Sequence, residues 1–345
     1  MGKSNQVHTV ICLLLLLIFW VHQVQGQQWK NIPTNIGSSF RGLSVVDDNV
    51  AWVSGTNGYV GVSTDGGNNW SFNQVKRCEQ SDFRSIYAFD DKRAIIANAG
   101  APTYIMVTGD GGINWTIVYK ETDTAVFLDG IGFWDDQNGI IYGDPVDGRM
   151  LLFKTTDGGL SWEQSPMQSR PVMEPGEASF AASGTAVRLT GKSKMIIATG
   201  GKTARLLTSA NKGQSWTSLA TPMLHGLNST GVFSVAFAGD KKGIIVGGDY
   251  KRDSFSKDHV FITSDGGNKW TAPVIPTGGY RECVEIINAT TAIATGPAGT
   301  DITYDLGIHW QPLPGEKQFH VVRKSRSGNL IIFAGGGGKI SVLKL

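Results

Sequence analysis

Charge, cysteine and long apolar runs are all scarce in this sequence. Charged residues make up 17 % of its 345 positions, below the roughly 25 % of an average globular protein. Lys and Arg number 31 against 29 Asp and Glu, so nothing indicates a nucleic-acid footprint or a polybasic membrane patch. After residue 26 no stretch has the roughly 20 apolar residues that a transmembrane helix needs. We therefore expect neither nucleic-acid binding nor a membrane span.

Only three cysteines occur, and no cofactor motif accompanies them. Cys12 lies in the apolar N-terminal run, which leaves Cys78 and Cys283. In an oxidising compartment these two could form one disulfide or remain two free thiols, and both alternatives stay open. No His/Cys cluster has metal-ligand spacing, and the glycines at 335–338 do not stand in a strand–turn–helix context. We expect no metal and no cofactor.

The first 26 residues have the pattern of a signal peptide. A polar start with Lys3 and His8 leads into an apolar run from Val10 to Val21, followed by a small-residue site that ends at Gly26. An apolar core of about a dozen residues suits a signal peptide better than a membrane span, with an uncleaved signal anchor as the alternative. The prediction is a signal peptide at 1–26, one domain at 27–345, and a secreted, extracellular monomer.

Four sequons for N-glycosylation are consistent with that location. Only secreted surface loops can use such triplets, so the sequence predicts a glycoprotein. The acceptor residues are Asn69, Asn114, Asn228 and Asn288.

Glycine is abundant, with 45 residues, and much of it belongs to a repeat. Six segments read Ser/Thr-x-Asp-x-Gly-x-x-Trp, and their tryptophans stand about 40 to 54 residues apart, which matches a four-stranded propeller blade. An Asp followed by Gly makes a hairpin turn, because the carboxylate accepts backbone N–H groups and Gly takes positive φ. The boxes span 63–70, 108–115, 155–162, 209–216, 263–270 and 303–310, the fourth with Asn211 in place of Asp.

A seventh blade follows from the two ends of the chain. The last strand-like run, Lys339–Leu343, is not followed by a box, while Gln28–Ile32 resembles a segment that follows a box Trp. Joining them would close the ring and remove open sheet edges. The predicted fold is all-β: a seven-bladed β-propeller of four-stranded antiparallel blades, closed by the N-terminal strand.

The innermost strands predict a binding surface on the face opposite the boxes. Alignment of the blades places three arginines around the channel mouth, which would attract anions; alternatively, each arginine pairs with a nearby acid. The aligned positions are Arg41, Arg84, Asp129, Thr185, Phe233, Arg281 and His320. Loops on the same face add Asp144, Glu177, Asp249 and Tyr250, because binding residues usually lie on such loops.

Several motifs resemble one family of Asp-box propellers. Among them are Phe40-Arg41, Gly143-Asp144-Pro145, Phe180–Gly184, Gly247–Tyr250 and Gly279-Tyr280-Arg281. They are similar to the photosystem II assembly factor (Ycf48/Hcf136-like) family and to secreted bacterial relatives labelled oxidoreductases. The resemblance implies a non-catalytic protein that holds partner polypeptides, with the arginine-lined face as the candidate surface. We expect the partner to be an extracellular protein or an acidic or glycan ligand.

Two other functions stay open. Sialidases share the Asp box, so Arg41, Arg84 and Arg281 could grip a sugar carboxylate, with a Tyr nucleophile and a Glu base. The candidates for that pair are Tyr250 or Tyr280 and Glu177 or Glu282. Against this, sialidases have six blades, and their Arg-Ile-Pro signature is absent at Arg41. The third possibility is a structural component of an extracellular matrix.

Overall fold

The computed structural model describes residues 27–315 and 317–345, so the predicted signal peptide at 1–26 lies outside the described residues. Residues Trp29–Leu343 form one compact unit. In the described part of the chain the secondary structure consists of β-strands and three short 3-10 turns at Thr56–Gly58, Met167–Ser169 and Gly336–Gly338, without an α-helix.

The strands are short and separated by glycine-rich turns, as the composition predicts. In chain order they are β1 Gln28–Ile32, β2 Phe40–Val45, β3 Ala51–Gly55, β4 Tyr59–Ser63, β5 Ser71–Gln74, β6 Ser85–Ala88, β7 Ala94–Ala97, β8 Thr103–Thr108, β9 Thr116–Glu121, β10 Leu128–Phe133, β11 Gly139–Val146, β12 Arg149–Thr155, β13 Glu163–Gln164, β14 Glu177–Ala178, β15 Val187–Thr190, β16 Lys194–Ala198, β17 Gly200–Gly201, β18 Arg205–Ser209, β19 Thr217–Ala220, β20 Thr230–Ala238, β21 Lys242–Asp249, β22 Val260–Thr263, β23 Cys283–Ile286, β24 Ala292–Gly296, β25 Gly299–Thr303, β26 Trp310–Pro312, β27 Phe319–Lys324, β28 Ile331–Gly335 and β29 Ile340–Lys344.

The strands form seven sheets, which are the blades of the predicted propeller. Blades 1 to 7 begin with β2, β6, β10, β15, β20, β23 and β27, and each of these innermost strands contacts the next around a closed ring. We call the four strands of a blade a to d from the channel outwards. Strand β1 lies next to β29 and supplies strand d of blade 7, which confirms the predicted closure. Trp29 stacks on Phe319 there, with ring centroids 5.9 Å apart.

Blade 5 departs from the repeat in its outer strand. Strand d is reduced to one bridge between Ile262 and Thr271, because Pro273 and Pro276 lack the N–H groups that a ladder needs. The chain turns towards blade 6 instead, where the N–H of Val274 donates to the carbonyl of Ile308 at 2.8 Å. Strands β14 and β17 extend the same sheet beyond its inner edge.

The Asp boxes are the hairpins between strands c and d. In blade 1 the Asp65 carboxylate accepts the backbone N–H groups of Asn68 at 3.0 Å and Asn69 at 2.9 Å. The N–H of Gly66 donates to Asn49 in the turn between strands a and b of the same blade. The boxes therefore share one face with the a–b turns, which we call the hairpin face. The strands a begin at the opposite face, which we call the mouth face.

The two cysteines are free, so the disulfide alternative is wrong. Cys78 lies in the loop between blades 1 and 2, with its Sγ 3.9 Å from Met106 Sδ. Cys283 lies on β23 of blade 6 and donates to the carbonyl of Val322 at 3.3 Å. Each thiol is buried in a different hydrophobic cluster, and burial raises the pKa of both.

Candidate functional site

A β-bulge at the start of strand a directs one side chain from several blades towards the channel mouth. The pairing of strands a and b skips one residue in blades 1, 3, 5 and 7, and such bulges re-aim side chains next to binding sites. The residue on strand b opposite the bulge is glycine. At Gly55 a Cβ atom would lie 2.2 Å from the carbonyl oxygen of Ser39. The skipped residues are Arg41, Asp129, Phe233 and His320.

The register of blade 6 corrects one predicted position. Cys283 pairs with Thr295 where Gly42 pairs with Ser54 in blade 1, so the equivalent of Arg41 is Glu282 and not Arg281. A shift of one residue reverses the side of the strand on which a side chain lies. Arg281 is accordingly buried at 4 % exposure, and its Nε donates to Asp301 Oδ2 at 2.7 Å. The three predicted arginines therefore do not meet at the mouth.

Glu282 of blade 6 contacts side chains of blades 1 and 7 at the channel mouth. Its Oε2 accepts from Arg41 Nη1 at 3.2 Å and lies 2.7 Å from His320 Nδ1. Burial alone would raise the pKa of Glu282, but Arg41 and His320 hold that pKa below its usual value. Glu282 thus balances the charge that the arginine brings to the mouth.

Three further carboxyl groups, those of Asp82, Asp129 and Asp144, lie around Arg84. Its Nε is 2.7 Å from Asp82 Oδ2. Asp129 is fully buried, and neither carboxyl oxygen has a hydrogen-bond partner; burial and the nearby Asp144 raise its pKa well above the usual value. Burial also raises the pKa of Asp144 to about 6. The mouth therefore carries a mixture of charges rather than the predicted excess of positive charge.

A segment that sequence reasoning missed crosses the mouth. Residues 179–184, which we call the strap, precede strand a of blade 4. The N–H of Ser179 donates to Asp144 in blade 3 at 3.2 Å, the carbonyl of Ala182 accepts from Arg41 in blade 1 at 3.0 Å, and Ser183 Oγ donates to the carbonyl of Glu282 in blade 6 at 2.8 Å. The strap therefore ties three other blades together. The spacing of the box tryptophans gives no signal for it, because Trp162 and Trp216 are 54 residues apart, as are Trp216 and Trp270.

Aromatic rings beside the strap form one side of an open groove of about 560 Å³. Phe180 of the strap stacks on Phe233 with ring centroids 3.8 Å apart, and Tyr250 and Tyr280 meet Phe233 edge-on. Tyr250 remains 48 % exposed. We call this depression the mouth groove; it is lined by Arg41, Arg84, Phe127, Asp144, Phe180, Ala181, Ala182, Phe233, Tyr250, Tyr280 and Glu282.

Two of the predicted mouth residues stabilise loops instead. The Glu177 carboxylate pairs with Arg205 through two bonds of 2.8 and 2.7 Å, and it is buried. Asp249, also buried, accepts from Arg252 Nε at 2.8 Å and from the N–H of Lys251. Glu177 is therefore paired with strand β18 and Asp249 with its own loop, so neither carboxylate is free to bind a ligand at the mouth.

The structure does bring together one Tyr/Glu pair considered for a sialidase. Tyr280 Oη donates to Glu282 Oε1 at 3.3 Å. However, Tyr280 is 1 % exposed, and burial together with Glu282 raises its pKa well above 10, which disfavours the nucleophilic tyrosinate. Arg84 and Arg281 are paired with other acids, so the arginine grip that accompanies such a nucleophile is not assembled.

The four sequon asparagines are exposed. In two of them the side-chain nitrogen that would carry a glycan donates to the box carboxylate, at 2.7 Å from Asn69 to Asp65 and 2.8 Å from Asn114 to Asp110. Asn228 lies at the groove, and Asn288 Oδ1 accepts the N–H of Thr290 in the a–b turn of blade 6. Glycosylation of any of them stays a prediction.

The described residues contain neither a group of side chains placed to hold a metal ion nor a candidate membrane-spanning helix. Over 27–315 and 317–345, no group of three or more His, Cys, Asp or Glu side chains is arranged to hold a metal ion. In the same residues, no helix has the length and apolar character to pass through a bilayer.

Comparison with known proteins points to one family. Residues 21–124 match the model of the photosynthesis system II assembly factor YCF48. The photosystem II assembly lipoprotein Ycf48 of Synechococcus sp. (strain CC9902) is 27 % identical over 146 residues. That match spans 42 % of this chain and 42 % of the relative.

Solved structures agree on the fold. A YCF48 bound to a D1 peptide superposes with a TM-score of 0.67 at 14 % identity, covering 92 % of this chain and 97 % of that one. YCF48 from Cyanidioschyzon merolae gives 0.68 at 16 % identity, over 91 % and 98 %. A GH74 enzyme from Niastella koreensis gives 0.60 at 15 %, over 88 % of this chain and 51 % of the enzyme. At such identities these structures support the propeller fold alone.

These comparisons also correct the predicted location. The expectation of a freely secreted, extracellular protein is wrong, because the similar Synechococcus protein is a photosystem II assembly lipoprotein, and attached lipid holds a protein to a membrane. The expectation of an extracellular glycan ligand rested on that location and is no longer supported. The chain is a Ycf48-like Asp-box propeller.

Proposed function

We propose that this chain is a non-catalytic scaffold that holds an extended segment of a partner polypeptide in the mouth groove. The observation that carries the proposal is the composition of the groove, where exposed aromatic surface lies beside arginine side chains on a rigid ring. Such surfaces supply most of the binding energy in protein interfaces.

The aromatic side of the groove suits an apolar side chain of the partner. Phe180 and Phe233 are stacked, and Tyr250 leaves about half of its surface exposed beside them. Burying a large aromatic side chain contributes about 1.5–3 kcal/mol. Because these rings pack against each other across the strap and blade 5, little conformational entropy is lost when the partner binds.

The charged side of the groove suits a partner carboxylate. The Arg84 side chain is 34 % exposed, and its pairing with Asp82 uses Nε. Its two terminal nitrogens, which have no hydrogen-bond partner among the described residues, could form a bidentate bond with a carboxylate. Asp144 and Glu282 on the same surface would disfavour a uniformly acidic partner, so we expect a segment with both apolar and acidic side chains.

The comparisons support a polypeptide as the ligand class. One similar structure is a YCF48 with a D1 peptide bound to it, and the curated relative is an assembly factor. The buried, paired state of Tyr280 and Glu282 argues against the glycoside hydrolase alternative. An assembly role without catalysis needs a shaped surface, which the groove provides.

Site-specific photocrosslinking tests the proposal in the native host. A benzoylphenylalanine placed at Tyr250 should crosslink to a defined polypeptide, whereas the same group at Tyr304 should not. Tyr304 is the matched control because it is 49 % exposed, against 48 % for Tyr250, and lies in an Asp box on the hairpin face. Adding Arg84→Ala should lower the yield at position 250 about tenfold, the effect of losing one charge-assisted bond.

Two outcomes would count against the proposal. Equal yields at positions 250 and 304 would mean that the mouth groove has no special role. Turnover of an aryl glycoside that disappears in Tyr280→Phe would favour the hydrolase, since that change removes the hydroxyl and keeps the ring.

A further inference from the structure

The hairpin end of the central channel is a second, separate cavity of about 260 Å³. Its walls are the ends of the innermost strands, and the strap separates it from the mouth groove: Gly184 lines the cavity, whereas Ala181 and Ala182 line the groove. Four cationic side chains and one acidic side chain line this cavity. The cations are Arg188, Arg323, Lys324 and Arg326, and the acid is Glu285.

One carboxylate is shared between two of the arginines. Glu285 Oε2 lies 2.9 Å from Arg188 Nη2 and 3.7 Å from Arg323 Nη1. Burial and then the charge of Arg188 lower the pKa of Arg323, with Glu285 opposing them. Two guanidinium groups this close leave positive charge that Glu285 alone does not neutralise.

Backbone and ring contacts fix these cations in place. Arg188 donates from Nε to the carbonyl of Val235 at 2.6 Å and from Nη2 to that of Val284 at 2.8 Å. Arg326 lies over the Tyr87 ring at 4.7 Å and donates to Ser44 Oγ at 3.1 Å. Guanidinium groups held in this way are preorganised for an anion, because little side-chain entropy remains to be lost.

The Lys324 side chain forms no hydrogen bond or ion pair among the described residues, although the backbone N–H of Lys324 contacts Glu285. The charge of this side chain helps to lower the pKa of Asp48, but Asp48 Oδ1 already accepts the N–H groups of Asn329 at 2.6 Å and Leu330 at 2.7 Å and the Ser325 hydroxyl at 2.9 Å. Asp48 therefore serves the turn of blade 7.

We propose that this cavity binds a small oxyanion with at least two negative charges, either a phosphate or a carboxylate compound. Four cations against one acid in a confined space concentrate positive potential, and fixed guanidinium forks match the oxygens of both anion types. The cavity is too small for a folded partner and is separate from the mouth groove, so this site does not depend on the proposed polypeptide binding.

Calorimetric titration of the purified chain at low salt tests the site. Pyrophosphate and citrate are the two probes, and the tighter of the two identifies the phosphate or carboxylate class. Lys324→Met should weaken binding at least about tenfold, as expected for one lost charge-assisted contact. Lys269→Met, which removes an exposed lysine from an Asp box on the same face, should leave the affinity unchanged.

Arg188→Met should abolish binding, but it also removes contacts between blades. Lys324→Met keeps the test independent of folding, because the Lys324 side chain has no contact of that kind. Absence of binding by the wild-type chain to both probes would overturn the proposal. So would equal affinities of wild type and Lys324→Met.

Discussion

The two faces of the propeller are built on different principles. On the hairpin face, six boxes repeat one arrangement, in which a side-chain oxygen accepts the N–H group four residues ahead. On the mouth face, the equivalent positions at the start of strand a hold five different residue types among six blades: Arg41, Arg84, Asp129, Phe233, Glu282 and His320. The residues that repeat from blade to blade therefore build the fold, and the residues that vary lie on the surface that we assign to binding.

The range of the contacts differs as well. The bonds of a box join residues within five positions of each other, so the hairpin forms from local sequence. The bonds of the mouth join Arg41 to Glu282 and Ser183 to Glu282, which are far apart in sequence. The mouth therefore takes its shape only when the ring closes.

Glycine substitutions should give the largest contrast between the two faces. Gly159, in the box of blade 3, has φ +88°, and an added Cβ would lie 2.1 Å from Ile95 Cδ1 in the core of blade 2. Gly159→Ala should cost about 3 kcal/mol of unfolding free energy, from backbone strain of about 1–2 kcal/mol and overpacking of about 1–3 kcal/mol.

The control for Gly159→Ala is Gly148→Ala in a loop of the mouth face. Gly148 has a similar φ of +72°, but no atom lies within 4 Å of the added Cβ, so the backbone strain of about 1–2 kcal/mol should be its whole cost. Urea unfolding of both variants measures the difference. If both variants lost the same unfolding free energy, box glycines would be needed only for their positive φ and not for the space beside them.

The same contrast explains what the sequence could predict. The boxes, the blade count and the closure by Gln28–Ile32 follow from turn chemistry and strand patterns that are local. The sequence also allows Glu282 to be predicted as the equivalent of Arg41. Glu282 stands eleven residues before Ile293 on strand b, as Arg41 does before Trp52. The strap could not be predicted, because its partners belong to blades 1, 3 and 6 and leave no local pattern.

The buried carboxyl group of Asp144 should make the mouth face sensitive to pH. Because burial raises its pKa from 3.8 to about 6, the folded chain keeps a proton between about pH 4 and pH 6 that the unfolded chain has released. The unfolding free energy should therefore fall as the pH rises through this window. In Asp144→Asn this fall in unfolding free energy should be smaller by about 1–3 kcal/mol, because Asn does not titrate. The Asn side chain can still accept the Ser179 N–H.

Thermal or urea unfolding at pH 4 and pH 7 measures this effect, with the exposed Asp253→Asn as the control. We expect Asp144→Asn to gain stability over wild type at pH 7 and little at pH 4. A stability difference between wild type and Asp144→Asn that does not change with pH would contradict the assignment.

The smallest effect should come from restoring the one irregular box. Asn211 Oδ1 accepts from Ser209 Oγ at 2.9 Å and from the N–H of Ser215 at 2.9 Å, as Asp157 Oδ1 does from Thr155 Oγ1 at 2.7 Å and Ser161 N–H at 3.0 Å. Asn211→Asp would add a charge but no hydrogen bond, so the unfolding free energy should change by less than about 0.5 kcal/mol.

Asp157→Ala is the informative partner of that variant, because it removes the acceptor itself. Its loss should be about 1–2 kcal/mol, the net value of hydrogen bonds to a charged group at a partly exposed site. Both boxes carry Ser before the Trp, at Ser161 and Ser215, so the two variants differ mainly in acceptor and charge. If Asn211→Asp stabilised the chain by as much as Asp157→Ala destabilises it, the box would depend on its negative charge. If the unfolding free energy of Asn211→Asp stayed near that of wild type, the acceptor oxygen alone would stabilise the turn.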